Sequence, residues 1–493
     1  MGRSACFFEP GAVPERQSRS FDTRLAQYGG CTMIAGSDKL HEECGVFGIW
    51  ESGNTNAAKR IYYGLMALQH RGQEAAGIAV CDTYGPKGNI SLHKEMGLVS
   101  EVFNAKTLAG LNGNIGIGHV RYSTTGESNI QNAQPIVGYY LKGTLALVHN
   151  GNIVNTKALR EELMAEGMTF RATSDSEVIH SLLARMRAKT GSIEEAVKQT
   201  IPKLIGGYAL IIMSPRKLVA VRDPLGLKPL CIGRTESGWM IASESCALVS
   251  AGAEFVRDVR PGEIITISRK GLISDTGMCG ERHAHCVFEY IYFARLDSRI
   301  DGMGVYEARL RGGAELAKRY PVDADLVAGV PESGVAAAQG YARESGIPFG
   351  QVFYKNSYIG RTFIKPTKEE REAAVHMKLS VLGDSVKGKR IVLIDDSIVR
   401  GTTIANLIRM LREAGAEEVH VRICAPPFLY PCYYGTDVAD TTQLIADHFT
   451  VEEICSQIGA DSLGYMQIPD LEEMAGGLPL CKACFDGNYP TKV

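Results

Sequence analysis

Two short stretches carry residues whose types and order can do chemistry. In Ile391-Val-Leu-Ile-Asp395-Asp396-Ser-Ile-Val-Arg400-Gly401-Thr402-Thr403, an apolar tetrad rich in β-branching leads into two adjacent carboxylates and then Gly-Thr-Thr. The tetrad reads as a buried parallel strand. Ligands of α/β sheets bind at the carboxyl ends of strands. Adjacent acids there can accept hydrogen bonds from two neighbouring sugar hydroxyls, and the N–H groups that open the next helix hold phosphate. The second stretch, His41-Glu-Glu43-Cys44-Gly-Val-Phe-Gly-Ile-Trp50, puts a thiol at the start of another apolar strand. Alone, Cys44 would read as a packed core thiol. Its company changes that reading: Gln69-His-Arg71-Gly, Gly118-His-Val-Arg121-Tyr, His149-Asn150-Gly151-Asn152 and Thr173-Ser-Asp175-Ser-Glu177 follow in order.

The stretch from Ile391 to Thr403 resembles the signature of type I phosphoribosyltransferases. The blocks from Cys44 to about residue 280 resemble the glutaminase domain of N-terminal-nucleophile (class II) glutamine amidotransferases. That chemistry needs a thiol to attack a carboxamide. A cysteine thiol has a reference pKa near ~8.5 and an α-amine near ~7.7–8.0. As a first residue, Cys44 would carry its own base, acting directly or through a water. An internal Cys44 has no such amine, so residues 1–43 must be removed. Family members with a short propeptide cut it off autocatalytically, and Glu42-Glu43 before Cys44 fits that branch. By the same resemblance, the Asn150 amide and the Gly151 N–H are the oxyanion donors. Arg121 suits the α-carboxylate of glutamine, Asp175 suits its α-ammonium, and Arg71, grouped with the glutamine site, orders the nucleophile pocket. Plainer readings stand beside these. Asn150-Gly151 is a favoured hairpin turn, Arg71 fits a surface position after a helix, and Asp175 fits a helix cap. Arg222-Asp223-Pro-Leu-Gly-Leu-Lys228-Pro reads as a structural turn without chemistry.

In the C-terminal half, Leu326-Val-Ala-Gly-Val330 reads as a short buried strand that runs through Pro331-Glu332-Ser333-Gly334 into an Ala-rich helix over Val335–Glu344. By resemblance, Glu332, Ser333 and Gly334 form a diphosphate-binding loop whose backbone N–H groups do the holding. Ile404, Leu407, Ile408 and Leu411 mark the apolar face of a helix that Gly415 ends, and Val419, Val421 and Ile423 alternate as the next strand. This βαβ succession implies a parallel sheet. The stretch from Tyr354 to Lys378, polar from Thr367 to Glu372, reads as a closing loop. Its Lys355, Arg361 and Lys378 are candidates for phosphate contacts. Arg400, Gly401, Thr402 and Thr403 complete the candidate site for phosphoribosyl pyrophosphate. Mg²⁺, bound mostly through substrate oxygens, would be anchored by Asp395 and Asp396, with Ser333 a further candidate.

Cys481-Lys-Ala-Cys484 alone suggests zinc, redox chemistry or nothing. Cys286 and Cys432 lie in matching family contexts, and the propeptide-bearing branch holds a [4Fe–4S] cluster on four such cysteines. Spacing by itself does not choose iron–sulfur over zinc. Cys246 and Cys424 read as core.

These residues need domains to position them. The chain has 493 residues, enough for two or three domains at ~150 residues each. Apolar content is 45 % and net charge −2, so no general field for nucleic acid or membrane is implied. No apolar run approaches the ~20 residues of a bilayer span. Thirteen cysteines are too sparse for a disulfide scaffold, and with no secretory signal a reduced, cytoplasmic enzyme is expected. Three segments are expected. Residues 1–43 form a disordered extension and propeptide, 44–280 an αββα N-terminal-nucleophile sandwich (α+β), and 281–493 an α/β phosphoribosyltransferase unit with a parallel sheet.

Together the motifs resemble the amidophosphoribosyltransferase family, in its propeptide- and iron–sulfur-containing branch. The resemblance implies transfer of glutamine-derived ammonia to C1 of 5-phosphoribosyl 1-diphosphate, giving 5-phosphoribosylamine at the first step of purine nucleotide synthesis. It also implies inhibition by purine nucleotides and a homotetramer. Two rivals remain: a glutaminase joined to sugar-isomerase domains, and a non-catalytic sensor of phosphoribosyl pyrophosphate.

Overall fold

The strand that starts one residue after Cys44 shows how the N-terminal half is layered. In the computed structural model, which describes residues 43–53, 56–85, 89–122, 127–356, 379–436 and 441–493, β1 (Gly45–Glu51) is buried at every position. Val46 and Trp50 point into an apolar layer shared with Val148 and Ile211, while Phe47 and Ile49 point the other way, toward Ile61 and Leu65. Alternation along a strand thus feeds two separate cores, which is why the sequence reads as a continuous apolar run.

The other strands are β2 (Ala75–Cys81), β3 (Ser91–Met96), β4 (Ile115–Arg121), β5 (Ile136–Tyr140), β6 (Gly143–Ile153), β7 (Gly206–Ser214), β8 (Lys217–Arg222), β9 (Cys231–Arg234), β10 (Gly238–Ala242), β11 (Glu254–Asp258), β12 (Ile264–Ser268) and β13 (Gly271–Asp275). They form a seven-stranded sheet, β11-β9-β10-β1-β4-β2-β3, and a six-stranded sheet, β13-β12-β8-β7-β6-β5. Helices α1 (Ala57–Ala67) and α4 (Ser245–Ser250) cover the first sheet. Between them in the chain, α2 (Asp175–Lys189) and α3 (Ile193–Thr200) cover the second. The result is the expected αββα sandwich.

The C-terminal half contains β14 (His285–Cys286), α5 (Val305–Arg319), β15 (Leu326–Gly329), α6 (Val335–Ser345), β16 (Arg390–Asp395), α7 (Thr402–Glu413), β17 (Glu418–Ile423), α8 (Val451–Ile458), β18 (Ser462–Tyr465), α9 (Ile468–Met474) and β19 (Leu480–Cys481). Strands β15-β16-β17-β18 pair in parallel in that order. Helices α5 and α6 cross closely because glycine faces backbone: a Cβ on Gly313 would lie 1.8 Å from the Ala337 oxygen, and one on Gly340 would lie 1.9 Å from that of Leu310. The chain end returns to the start of this half, where β19 pairs in parallel with β14 and Cys481 lies opposite Cys286. Residues 1–42, which include most of the expected extension with Cys6 and Cys31, lie outside the described residues, as do Arg361, Lys378 and the Thr367–Glu372 stretch. Among the described residues, no helix is long and apolar enough to cross a membrane.

Candidate active site

Cys44 stands at the mouth of β1, beside the end of β4, where Gly45 pairs with Val120. Its Sγ donates to the Tyr122 carbonyl oxygen at 3.3 Å. Burial pushes the thiol up to about 11; Arg121 pulls it down, while Glu74 and Asp175 add to the rise. The buried Arg121 side chain, last in β4, donates from Nη2 to the Glu127 carbonyl oxygen at 3.2 Å and lies 3.7 Å from Glu74 Oε2.

Asp175 is the first residue of α2, and Ser174 before it makes no side-chain cap. The carboxylate therefore turns inward instead of capping. Oδ2 accepts from the Ile153 N–H at 3.2 Å, and Oδ1 accepts from Ser176 Oγ at 3.2 Å and lies 3.5 Å from His149 Nδ1. Burial would raise its pKa, but His149 and these hydrogen bonds hold it below the usual carboxylate range.

Asn150 and Gly151 sit inside the eleven-residue strand β6, paired with Ala209 and Tyr208, so the hairpin-turn reading is overturned. Asn150 is fully buried, and among the described residues neither its Nδ2 nor its Oδ1 has a hydrogen-bond partner. An unpaired buried polar group costs roughly 1–3 kcal/mol and calls for a functional explanation. Gly151 has φ +133°, and a Cβ there would lie 2.1 Å from the Gly207 oxygen, so only glycine fits. His119 Nε2, two residues before Arg121, lies 3.0 Å from the His149 oxygen, tying the Arg121 strand to the Asn150 strand.

Arg71 is not a surface residue. Its side chain is wholly buried, with Nε donating to the Cys44 carbonyl oxygen at 3.1 Å. Nη1 reaches Glu244 Oε1 at 2.7 Å and Glu289 Oε2 at 2.9 Å, and Nη2 reaches Glu289 Oε1 at 2.6 Å. Enclosed this way, Arg71 lies against the nucleophile's backbone rather than on the surface.

The second site lies at the carboxyl end of the parallel sheet. Asp395 ends β16 and Asp396 follows it, and both are buried. The Asp396 N–H donates to Asp395 Oδ1 at 2.9 Å, and Ser397 Oγ donates to Asp396 Oδ1 at 2.5 Å. Gly401 takes the left-handed conformation (φ +86°) that turns the chain into α7, whose first residues are Thr402 and Thr403. Arg400 reaches Gln443 beside this turn. The Glu332-Ser333-Gly334 loop packs against the same strand end: the Val330 N–H donates to the Ile394 oxygen at 2.8 Å, and a Cβ on Gly334 would lie 2.2 Å from that oxygen. Lys355 Nζ lies 3.1 Å from Glu332 Oε1. The fold thus gathers an acid pair, a backbone loop and a helix N-terminus, which suits ribose hydroxyls, diphosphate and phosphate respectively.

Cys286, Cys432, Cys481 and Cys484 line one cavity, with Lys228, Phe288 and Tyr434 in its wall. Burial pushes the Cys481 thiol up to about 12 and raises Cys286 and Cys484 well above their ordinary value. Among the described residues, no three His, Cys, Asp or Glu side chains converge as they would on one metal ion.

Sequence reasoning missed the partners that hold these residues: Glu244 and Glu289 on Arg71, His149 on Asp175, and Lys228 on Glu43 at 2.5 Å. Lys228 left one usable signal, a lone cation inside the run Pro224-Leu-Gly-Leu-Lys228-Pro-Leu-Cys-Ile.

Comparison with known proteins agrees with this geometry. Residues 119–250 match the glutamine amidotransferase domain model and residues 306–454 the phosphoribosyl transferase domain model; the latter overturns the sugar-isomerase alternative. The amidophosphoribosyltransferase of Methanocaldococcus jannaschii is 51 % identical over 465 residues, covering 91 % of this chain and 98 % of that one. The Bacillus subtilis protein of the same name is 44 % identical over 468 residues, covering 94 % and 97 %. A solved structure of the B. subtilis glutamine phosphoribosylpyrophosphate amidotransferase, complexed with ADP and GMP, superposes with a TM-score of 0.84 at 43 % identity, covering 91 % of this chain and 98 % of that one. With a thiol-bearing sandwich and an acid-pair sheet on one polypeptide, and with relatives of this identity along nearly its whole length, the chain belongs to the amidophosphoribosyltransferase family.

Proposed function

We propose that the chain releases ammonia from glutamine at Cys44 and adds it to C1 of 5-phosphoribosyl 1-diphosphate at the Asp395–Asp396 site. The products are glutamate, 5-phosphoribosylamine and pyrophosphate, and the reaction opens purine nucleotide synthesis. The observation that carries this reading is the buried Asn150 amide, unpartnered among the described residues, on β6 of the second sheet of the sandwich. In water-excluded surroundings, such a donor stabilises an oxyanion strongly.

Cys44 attacks the carboxamide once residues 1–43 are gone and its α-amine serves as base. Asn150 Nδ2 and the Gly151 N–H receive the oxyanion. Arg121 pairs with the glutamine carboxylate and Asp175 with its ammonium, while Arg71 holds the Cys44 backbone. At the second site, the Glu332-Ser333-Gly334 loop and Lys355 hold the diphosphate, and Asp395 and Asp396 accept from the ribose hydroxyls. Arg400, Gly401, Thr402 and Thr403 hold the 5′-phosphate. Ser333, Asp395 and Asp396 would hold Mg²⁺, which supplies counter-charge to the departing pyrophosphate when bound. Cys286, Cys432, Cys481 and Cys484 would hold a [4Fe–4S] cluster, which would cross-link β14, β19 and the segment around Cys432. Ammonia protonates in neutral water, so a closed route between the sites is part of the reading. A cytoplasmic homotetramer inhibited by purine nucleotides completes it; the B. subtilis relative was solved with ADP and GMP.

The test is glutamate release from glutamine, measured with and without phosphoribosyl pyrophosphate. An enzyme of this kind accelerates when the second ligand is present, whereas a non-catalytic sensor releases no glutamate in either case.

A further inference from the structure

Glu43, the residue before the nucleophile, is 1 % exposed. Its Oε1 lies 2.5 Å from Lys228 Nζ and accepts from Thr436 Oγ1 at 3.2 Å, and its Oε2 lies 3.5 Å from Arg71 Nη2. Lys228 is equally buried and closes the turn after β8, which Asp223 stiffens by accepting from the N–H groups of Leu225, Leu227 and Lys228. Glutamine chemistry makes no use of Glu43, since the working enzyme lacks it. Burying a carboxylate against a buried lysine is costly unless the geometry is specific, so a residue that is merely discarded needs no such socket.

We propose that Lys228, Thr436 and Arg71 form a socket that reads an acidic side chain at position 43 and positions the Glu43–Cys44 amide for self-cleavage. This rests on the proposed removal of residues 1–43. The amide is bracketed: Arg71 Nε holds the Cys44 carbonyl oxygen on one side, while Arg71 Nη2 and Lys228 hold the Glu43 side chain on the other. The net reaction is hydrolysis. The oxygen of water bonds to the Glu43 carbonyl carbon, the C–N bond breaks, and a proton passes to the Cys44 nitrogen, which becomes the new α-amine. Lys228, Thr436 and Arg71 are positioning residues here, and small misplacements of a reacting group cost rate steeply.

The test follows intact mass of the full-length chain over time for the unaltered protein and for Glu43→Ala, Glu43→Gln, Lys228→Met and Lys228→Arg, with thermal unfolding to establish that each is folded. The expected result is complete conversion of the unaltered chain to one beginning at Cys44. Glu43→Ala and Lys228→Met are slowed at least tenfold, Glu43→Gln is intermediate, and Lys228→Arg recovers most of the rate, which a purely packing role would not produce. If Glu43→Ala does not fold, Glu43→Gln, which keeps the size, decides by its rate. Unaltered and Glu43-substituted chains cleaving at equal rates would overturn the socket while leaving the reading of the mature enzyme intact. An unaltered chain that never cleaves yet works would overturn both.

Discussion

Arg71 and Glu289 form a two-pronged buried ion pair, at 2.6 and 2.9 Å, that crosses from the glutaminase half to the phosphoribosyltransferase half. The same guanidinium holds the Cys44 carbonyl oxygen at 3.1 Å. The nucleophile is therefore anchored to the other half of the molecule through one side chain. Glu289→Gln should lower stability by only about 1–3 kcal/mol, the scale of hydrogen bonds to a charged group, because Glu244 still compensates the Arg71 charge. It should also weaken glutaminase kcat/KM about tenfold or more. Denaturant unfolding and a glutamate assay read the two effects.

Asn150→Ala should cut glutaminase kcat by about 10²–10³, the cost of losing one oxyanion donor. Stability should fall little or even rise, since among the described residues the amide has no partner to lose. Steady-state kinetics beside thermal unfolding separate the two.

Asp395→Asn and Asp396→Asn should weaken kcat/KM for phosphoribosyl pyrophosphate by about 10² or more, consistent with loss of charged hydrogen bonds to ribose at about 1.5–3 kcal/mol each. Glutamate release measured without phosphoribosyl pyrophosphate should stay within twofold. Ammonia-dependent pyrophosphate release should fall in parallel with the glutamine-dependent rate, because both use the same second site.

Asp258 offers a pH test. Burial and the neighbouring Asp301 carboxylate push it up to about 6. A raised carboxylate binds its proton more tightly in the folded chain, so its favourable contribution is full below the unfolded value near ~3.9 and is lost as pH rises through about 6. Asp258→Asn, which keeps a neutral side chain of the same shape, should therefore stabilise the protein by about 1–2 kcal/mol at pH 8 and have little effect at pH 4. Thermal or denaturant unfolding across that range checks it.

The candidate sites were legible where they are written contiguously. The acid pair and Gly-Thr-Thr follow one strand, and Cys44, Asn150-Gly151 and Asp175 each sit in a recognisable block. The βαβ succession was readable because the apolar period switches between strand and helix along β15 to β17. The partners were not readable. Arg71 meets Glu244 and Glu289 across more than 170 positions of chain, and Lys228 meets Glu43 across 185, distances over which no local pattern couples charges. Asn150-Gly151 has turn-forming types yet lies in mid-strand, because its pairing with Ala209 and Tyr208 on β7 overrides the local preference. The four-cysteine cavity depends on the parallel pairing of β14 with β19, which brings residues 286 and 481 opposite one another.

The most direct test is product stoichiometry with the amide nitrogen of glutamine labelled, in the presence of phosphoribosyl pyrophosphate and with no added ammonium ion at neutral pH. The account predicts glutamate and pyrophosphate in a one-to-one ratio, with the label retained in 5-phosphoribosylamine. Pyrophosphate formed without glutamate, or glutamate formed at the same rate whether or not the sugar diphosphate is present, would contradict it.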